Sequence, residues 1–381
     1  MKKPIIQKRE AERLVKKYGS PLYVYRKSIV HQRYNQLNGA ITYPKSRIFY
    51  ACKANANPEI LKLLLKLGSS IECVSRGEVE RAFKVGFPKE RISYTCSNIP
   101  KEEIAWLIKK GISVSLDSLN QVEWWGQLKP GSAISVRLNL GYGDGGHKYL
   151  ITGGDDSKFG IFHADIPKMQ SIAEKYDLRI KGILQHIGTH IADPNSLLRG
   201  MELVFAIAPQ FPDLEFLDFG GGFNSPYKPQ EKPIDVKKIG AQMSKRFAAF
   251  CKTYGLELEL RIEPGRFVVA DSGALLGTVM DVKHTGKHTF VGIDSGFSHL
   301  IRPALYGAYH HIFNLSNPRG KVQRVNVVGN ICESADIFAQ DRPLPQFRTG
   351  DLLLIADAGA YGYTMASDYN LRDKPKEVVI D

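Results

Sequence analysis

The sequence contains little cysteine and no arrangement of it that indicates a disulfide framework or a metal site. Cys52, Cys73, Cys96, Cys251 and Cys332 are odd in number, widely scattered and without a Cys-x-x-Cys pair. We therefore expect reduced thiols, a cytoplasmic location and no structural zinc.

Long apolar runs are also missing. The most apolar helical stretch, residues 60–67, is interrupted by lysines, so we expect no membrane span. No long apolar run follows the basic start of the chain, and we expect no signal peptide. The formal net charge is +13, but the basic residues are spread thinly and form no nucleic-acid-binding motif. This pattern favours anionic small molecules over nucleic acid as partners.

Between residues 47 and 263, strand-like and helix-like segments alternate. The predicted strands are 47–52, 71–75, 91–96, 113–116, 133–140, 179–186, 214–219 and 257–263. Helical patterns lie between most of them, at 77–85, 101–110, 166–175 and 236–254. Eight β-units over this length predict an α/β fold with a (β/α)8 TIM-like barrel.

The pattern changes after residue 266. Strands follow one another closely, with turn signals at Thr285-Gly286, Asn317-Pro318 and Arg348-Thr349-Gly350, and no long helical pattern appears. This predicts a C-terminal β-barrel or sandwich domain that also takes in an N-terminal strand at 21–25. The predicted domains are the barrel at 27–265 and a β domain formed by 1–26 and 266–381.

Groups suited to chemistry follow several predicted barrel strands, where barrel enzymes carry their active sites. They are Lys53, Ser75, His186, the triplet Gly220-Gly221-Gly222, and Glu263. Taken singly, Lys53 reads as a surface charge, His186 as a core histidine, the triplet as a tight turn and Glu263 as a strand ending. Together, a partly buried lysine, a phosphate-binding glycine loop, a flat imidazole and a buried carboxylate are the parts needed to bind pyridoxal phosphate.

Further motifs recur in order along nearly the whole chain. They are Tyr50-Ala51-Cys52-Lys53-Ala54-Asn55, Ser157-Lys158-Phe159-Gly160, His186-Ile187-Gly188-Thr189, Glu263-Pro264-Gly265-Arg266, Arg302-Pro303-Ala304-Leu305-Tyr306-Gly307, Cys332-Glu333-Ser334 and Asp357-Ala358-Gly359-Ala360-Tyr361-Gly362. In these motifs the sequence resembles the fold-type III pyridoxal-phosphate enzymes, and in particular the diaminopimelate decarboxylase family.

The resemblance implies a set of residues that bind the cofactor. Lys53 would carry pyridoxal 5'-phosphate covalently, His186 would stack on its ring, and Glu263 would pair with the ring nitrogen. The phosphate end would be held by Gly220, Gly221, Gly222, the backbone of Gly265 and Arg266, and Tyr361.

The same resemblance implies a substrate site shared by two subunits of a homodimer. Arg266, Arg302 and Tyr306 would bind the distal carboxylate of an amino-acid substrate, with Tyr361 also in contact. Cys332 and Glu333 would enter from the partner subunit. Cys332 would then be the catalytic proton donor, and Glu333 would recognise the distal end of the substrate.

The expected reaction is decarboxylation of meso-2,6-diaminopimelate to L-lysine and CO2. Glu263 favours decarboxylation over racemisation, because a carboxylate keeps the ring nitrogen protonated and alanine racemases of this fold are expected to use an arginine there. Related decarboxylases acting on a siderophore intermediate, D-ornithine or D-lysine, or carboxynorspermidine remain open, as does an inactive homologue. Arg76, Thr189 and Ala335 depart from the usual motifs, and Arg76 and Ala335 are positions where the substrate end could differ.

Overall fold

The computed structural model describes residues 2–191 and 193–381. Its helices are α1 (Lys8–Tyr18), α2 (Lys27–Ala40), α3 (Pro58–Lys66), α4 (Arg76–Val85), α5 (Lys101–Lys110), α6 (Leu119–Leu128), α7 (Ile166–Lys175), α8 (Pro194–Ile207), α9 (Val236–Tyr254), α10 (Arg266–Val269) and α11 (Arg302–Tyr306). Its strands are β1 (Leu22–Arg26), β2 (Ser46–Ala51), β3 (Ser70–Cys73), β4 (Ile92–Tyr94), β5 (Ser113–Leu116), β6 (Ala133–Asn139), β7 (Ile161–Phe162), β8 (Arg179–Leu184), β9 (Phe216–Asp218), β10 (Glu259–Ile262), β11 (Gly273–Thr285), β12 (His288–Ile293), β13 (Ile312–Asn314), β14 (Val322–Val328), β15 (Ile337–Pro345), β16 (Leu352–Ile355) and β17 (Lys376–Ile380).

Eight parallel strands close into a barrel. They pair in the order β2-β3-β4-β5-β6-β8-β9-β10, and β10 returns to β2. All four residues of β3 are buried, as are the last six of β6. This continuous burial is typical of parallel strands that are covered on both faces.

Local signals in the sequence explain where the barrel helices begin and end. Asp235 caps α9 by accepting a hydrogen bond from the Lys238 backbone N–H, and Gly255 ends that helix in the left-handed conformation. Ser75 caps α4 in the same way, through the Glu78 backbone N–H. A side-chain acceptor at the start and a glycine at the end satisfy backbone groups that a helix leaves unpaired. Ser75 therefore acts as a helix cap in this structure.

Strand β7 pairs with β6 of the barrel, and the other eight strands form a separate, mostly antiparallel sheet. Its main path is β13-β16-β11-β12-β14-β15, and the N-terminal strand β1 pairs with β11 and with β17. Helix α1 packs its buried residues Ala11 and Leu14 into an apolar cluster with residues of this sheet, such as Leu276 and Leu354. The predicted β domain and its N-terminal strand are thus confirmed.

The predicted barrel strands are all present, with ends that differ by up to two residues. Strand β5 and helices α5, α7 and α9 have the predicted bounds. Helix α1 and the two-residue strand β7 were not predicted from the sequence. Two compact units are observed. One joins His31–Asn224 to Ile234–Gly265, and the other joins the segment ending at Val30 to Ser225–Pro233 and Arg266–Asp381. The predicted domain limits differ from these at 27–30 and 225–233, and the domain division stays a prediction.

Candidate active site

Lys53 lies at the carboxyl end of the first barrel strand, in a short 3-10 turn that follows β2. Its Nζ donates to Glu72 Oε2 at 2.7 Å, from the end of the neighbouring strand β3. The Lys53 side chain is 40% exposed whereas that of Glu72 is 1% exposed. The buried carboxylate therefore fixes the direction of a lysine whose side chain remains partly exposed.

Glu72 and Glu78 were not recognised as site residues from the sequence. Glu78 Oε2 accepts a hydrogen bond from the Val74 backbone N–H at 2.8 Å. Burial, and then the nearby Glu72 carboxylate, raise the pKa of Glu78 to about 7. The signal that could have revealed Glu72 is an acidic residue inside a wholly buried parallel strand, where unpaired charges are costly.

Glu263 immediately follows the last barrel strand, β10. Its side chain is buried, and its Oε1 accepts no hydrogen bond from any described residue. Burial, followed by the neighbouring Asp218 and Glu72 carboxyl groups, raises the pKa of Glu263 well above its usual range. A buried carboxyl oxygen without a partner is costly, so this atom is suited to receive a donor from a bound molecule.

His186 and the glycine triplet lie on two loops that contact each other. The Gly221 backbone N–H donates to His186 Nδ1 at 3.2 Å, which leaves Nε2 to carry the imidazole proton. Burial, then the positive charges of Arg137 and Lys53, lower the pKa of His186 well below its usual range. The site therefore presents a neutral, flat ring.

The triplet requires glycine for steric reasons. A Cβ on Gly220 would lie 2.5 Å from His186 Nδ1, and one on Gly221 would lie 2.5 Å from the Glu263 carbonyl oxygen. Gly220 and Gly222 also have positive φ angles of 62° and 105°. The loop consequently passes close to both His186 and Glu263, with backbone in contact where side chains would not fit.

A second charged pair inside the barrel supports the Ser157–Gly160 motif. Arg137 and Asp117 are both buried, with Nη1 and Oδ2 3.5 Å apart. The Arg137 guanidinium lies 4.6 Å from the centre of the Phe159 ring, and Asp117 Oδ2 accepts from the Gly160 backbone N–H at 3.1 Å. The motif is recognisable in the sequence, but Arg137 was not predicted as a site residue. Its signal is a charged residue in the middle of a predicted barrel strand.

The β unit contains its own cluster of buried charge. Arg266 and Arg302 are each only 4% exposed. Arg266 Nη1 donates to the Tyr227 hydroxyl at 3.0 Å, and the Arg302 guanidinium lies 4.4 Å from the centre of the same tyrosine ring. Tyr361 lies against Arg266, at 4.8 Å from ring centre to guanidinium. Two buried guanidinium groups around one phenol ring make a strongly positive environment.

The other predicted residues of the β unit lie on its surface or at helix ends. Tyr306 is the last residue of α11, one turn after Arg302. Cys332 and Glu333 lie on an exposed turn, where the Cys332 N–H donates to Asn370 Oδ1 at 2.9 Å and Glu333 accepts from the Tyr369 hydroxyl at 3.3 Å.

Arg76, in the barrel unit, is turned toward α5, where its guanidinium lies 5.0 Å from the centre of the Trp106 ring.

Comparison with known proteins places this arrangement in a family. The family model described as the pyridoxal-binding domain of pyridoxal-dependent decarboxylases matches residues 27–270. A diaminopimelate decarboxylase of Methanothermobacter thermautotrophicus is 38% identical over 97% of this chain and 89% of its own. The chain belongs to the diaminopimelate decarboxylase family of pyridoxal-dependent decarboxylases.

Solved structures agree with this membership. A crystal structure of a diaminopimelate decarboxylase matches with a TM-score of 0.90 at 33% identity, over 97% of this chain and 90% of the other. The diaminopimelate decarboxylase of Helicobacter pylori, complexed with L-lysine, matches with a TM-score of 0.88 at 31% identity, over 97% and 94% of the two chains. These similarities extend over both the barrel and the β unit.

The barrel residues fit the family cofactor. The unpaired Oε1 of Glu263 matches a protonated ring nitrogen, and the crowded glycine loop offers backbone rather than side chains to a phosphate. The Lys53 side chain remains partly exposed at the end of the first barrel strand. Pyridoxal phosphate is therefore the cofactor of this decarboxylase family member, as the sequence analysis predicted. Within the described residues, no group of three or more histidine, cysteine or acidic side chains is arranged to hold a metal ion.

Proposed function

We propose that this protein decarboxylates meso-2,6-diaminopimelate to L-lysine and CO2. The observation that carries the substrate assignment is the buried guanidinium of Arg302, whose Nε has no hydrogen-bond partner among the described residues. A buried cation with an unpaired donor calls for an anion of the substrate, and a distal carboxylate matches its planar donors. The family relatives are named diaminopimelate decarboxylases, which supports the same substrate.

In this proposal the barrel residues hold the cofactor and set its protonation. Lys53 would bind it covalently, and the Glu263 carboxyl would pair with its ring nitrogen. When bound, pyridoxal phosphate supplies the sink for the electrons released when CO2 leaves. The neutral His186 would stack on the ring, and the phosphate end would be held by Gly220, Gly221, Gly222, Gly265, Arg266 and Tyr361.

The β-unit residues recognise the substrate and complete the proton transfer. Arg266, Arg302, Tyr306 and Tyr361 bind the distal end of the substrate. Cys332 donates the proton that replaces CO2 at the reacting carbon, and Glu333 contacts the distal amino-acid end. Both belong to the partner subunit of a homodimer in this proposal, which is supported by their exposure on a surface turn.

A cytoplasmic location completes the proposal. All five cysteines are free, as is usual in a reducing compartment. Separately, no helix in residues 2–191 and 193–381 has the length and apolar character needed to cross a membrane.

A substrate panel tests the proposed function. CO2 release is measured with meso-diaminopimelate, D- and L-lysine, D- and L-ornithine, and carboxynorspermidine. We expect meso-diaminopimelate to be turned over with the highest kcat/KM. A higher kcat/KM for ornithine or carboxynorspermidine would replace the proposed substrate.

A further inference from the structure

The buried Arg302 is held in place by neutral groups. Its Nη1 is 3.2 Å from His310 Nε2, and its guanidinium lies over the ring of Tyr227. His310 is fully buried, and its own ring meets that of Tyr227 edge-on, with 5.4 Å between ring centres. Arg302 thus has a defined orientation that comes from an imidazole and a phenol.

The direction of the Arg302–His310 hydrogen bond follows from the second nitrogen of His310. His310 Nδ1 lies 2.8 Å from the Ala356 carbonyl oxygen, which only accepts hydrogen bonds. Nδ1 must therefore carry the proton, so Nε2 is an acceptor that receives the N–H of Arg302.

The surroundings of His310 keep the imidazole neutral. Burial is the largest effect and lowers the pKa of His310. The positive charges of Arg302, Lys2 and Arg266 lower it further, so this pKa lies well below its usual range. The hydrogen bond to the Ala356 carbonyl raises the pKa of His310 but does not outweigh these effects. The backbone of His310 is also held, because Arg342 Nη1 donates to its carbonyl oxygen at 3.0 Å. A neutral His310 can accept from Arg302, whereas a protonated one would repel it.

A neutral acceptor leaves the positive charge of Arg302 uncompensated, whereas a carboxylate partner would not. An aspartate or glutamate at this position would orient Arg302 equally well but would cancel its charge. An imidazole fixes one edge of the guanidinium and leaves its positive charge to a ligand. The unpaired Nε of Arg302 is a donor available to that ligand.

We propose that His310 is a positioning residue for substrate specificity, which orients Arg302 toward the distal carboxylate while leaving its charge uncompensated. This inference rests on the proposed function, because it assumes that Arg302 binds that carboxylate. The alternative is that His310 only fills space in the core of the β unit. The two differ in which ligands depend on His310.

Three ligands separate these alternatives. Decarboxylation of meso-diaminopimelate gives L-lysine, which retains the distal carboxylate, whereas cadaverine has the same carbon chain and both amines but no carboxylate. We expect His310→Phe in the holoenzyme to raise the KM for meso-diaminopimelate and the Kd for L-lysine by about 10- to 100-fold, which is the scale for losing a hydrogen bond to a charged group. The Kd for cadaverine, measured by calorimetry, should stay within about twofold of wild type.

Two further variants control for folding. His310→Gln can accept from Arg302 with its amide oxygen and donate to Ala356 with its amide nitrogen, so it should restore L-lysine binding to within about fivefold of wild type. His311→Phe changes the neighbouring half-buried histidine, whose ring packs against Tyr309 and Phe313, and should leave all three ligands unaffected. His310→Leu replaces His310→Phe if the larger ring prevents folding.

Failure of the inference about His310 can be distinguished from failure of the proposed function. If acceptor-free variants of His310 bind L-lysine as tightly as wild type, or weaken cadaverine and L-lysine equally, the inference is wrong. If wild-type enzyme releases no CO2 from meso-diaminopimelate, the proposed function is wrong, and the difference between L-lysine and cadaverine still tests the role of His310 in binding a carboxylate.

Discussion

At the scale of single residues, the site combines charged groups with neutral ones whose protonation is set by burial. Lys53 is paired with the buried Glu72, while Glu263 and Glu78 have raised pKa values. The strand-end positions of Lys53, His186 and Glu263 could be predicted, because each follows a recognisable strand. Glu72 was missed although it lies in a buried strand, because its contact with Lys53 is visible only in the folded chain. The role of His310 could not be predicted, because it depends on simultaneous contacts with Arg302 and with Ala356.

We predict that Lys53 is the residue that binds the cofactor. Purified enzyme should absorb visible light as a lysine-bound pyridoxal phosphate, and borohydride reduction followed by peptide mass analysis should locate the label on Lys53. Lys53→Ala should abolish both signals. Label on any other lysine of the wild-type enzyme would refute this assignment.

The raised pKa of Glu78 predicts a pH-dependent stability. Glu78 ionises at about pH 7 when folded and near its ordinary value when unfolded, so its favourable contribution is complete below about pH 4.5 and is lost as pH rises through 7. Glu78→Gln keeps an acceptor for the Val74 N–H without this loss. Relative to wild type, the variant should gain about 1–3 kcal/mol in unfolding free energy between pH 5 and pH 8.

Urea denaturation of the holoenzyme at both pH values provides the measurement. Glu80→Gln, on the exposed side of the same helix α4, is the matched control and should show a much smaller change between the two pH values. An equal pH response in the two variants would show that Glu78 does not carry the effect.

At the scale of elements, the loops after the barrel strands determine the geometry of the site. The loop after β9 is held by the Gly220 N–H, which donates to Asp218 Oδ1 at 2.9 Å, and by the Glu263 N–H, which donates to the Gly220 carbonyl oxygen at 2.7 Å. Strand and helix positions could be predicted from apolar periodicity and end signals, as for α9. The packing of this loop against His186 could not, because steric contact across the barrel has no signature in a single sequence.

We predict that Gly221→Ala weakens cofactor binding. The added Cβ would lie 2.5 Å from the Glu263 carbonyl oxygen, so the backbone beside Glu263 must shift. We expect the Kd for pyridoxal phosphate to rise by at least about tenfold and the unfolding free energy to fall by about 1–3 kcal/mol. Fluorescence titration of the cofactor and urea denaturation measure the two effects.

Gly39→Ala provides the control for this substitution. Gly39 lies in α2, and a Cβ there would meet nothing within 4 Å. Because alanine favours the helix, this variant should be about 0.5–1 kcal/mol more stable and bind the cofactor normally. Equal behaviour of the two variants would contradict the role given to the loop.

At the scale of the whole molecule, the proposed homodimer depends on residues from two subunits. The exposed turn carrying Cys332 and Glu333 is separated in sequence from every barrel residue of the site. The resemblance to the family suggested the shared site, whereas composition and periodicity gave no indication of it. Composition and periodicity also gave no indication of the role of Ser225–Pro233. This segment lies within the barrel part of the sequence but belongs to the β unit, to which it contributes Tyr227.

Mixing two inactive variants tests the shared site. Lys53→Ala and Cys332→Ala homodimers should each be inactive, but a heterodimer retains one site with both residues intact. Random exchange of equal amounts gives half heterodimers, so activity should recover to about a quarter of wild type. Heterodimers verified by differently tagged subunits that recover no activity would contradict a shared site.

The central claim is that Arg302 recognises a distal carboxylate, and the most direct measurement is a ratio of specificities. D-lysine is meso-diaminopimelate without that carboxylate, so the ratio of kcat/KM for the two substrates isolates the contribution of this group. We predict a ratio on the order of 10⁴ for wild type, because donors left buried and unpaired penalise the smaller substrate. Arg302→Ala should reduce the ratio by at least about 100-fold while cofactor binding is retained. A wild-type ratio near one, or a ratio unchanged in Arg302→Ala, would contradict the account.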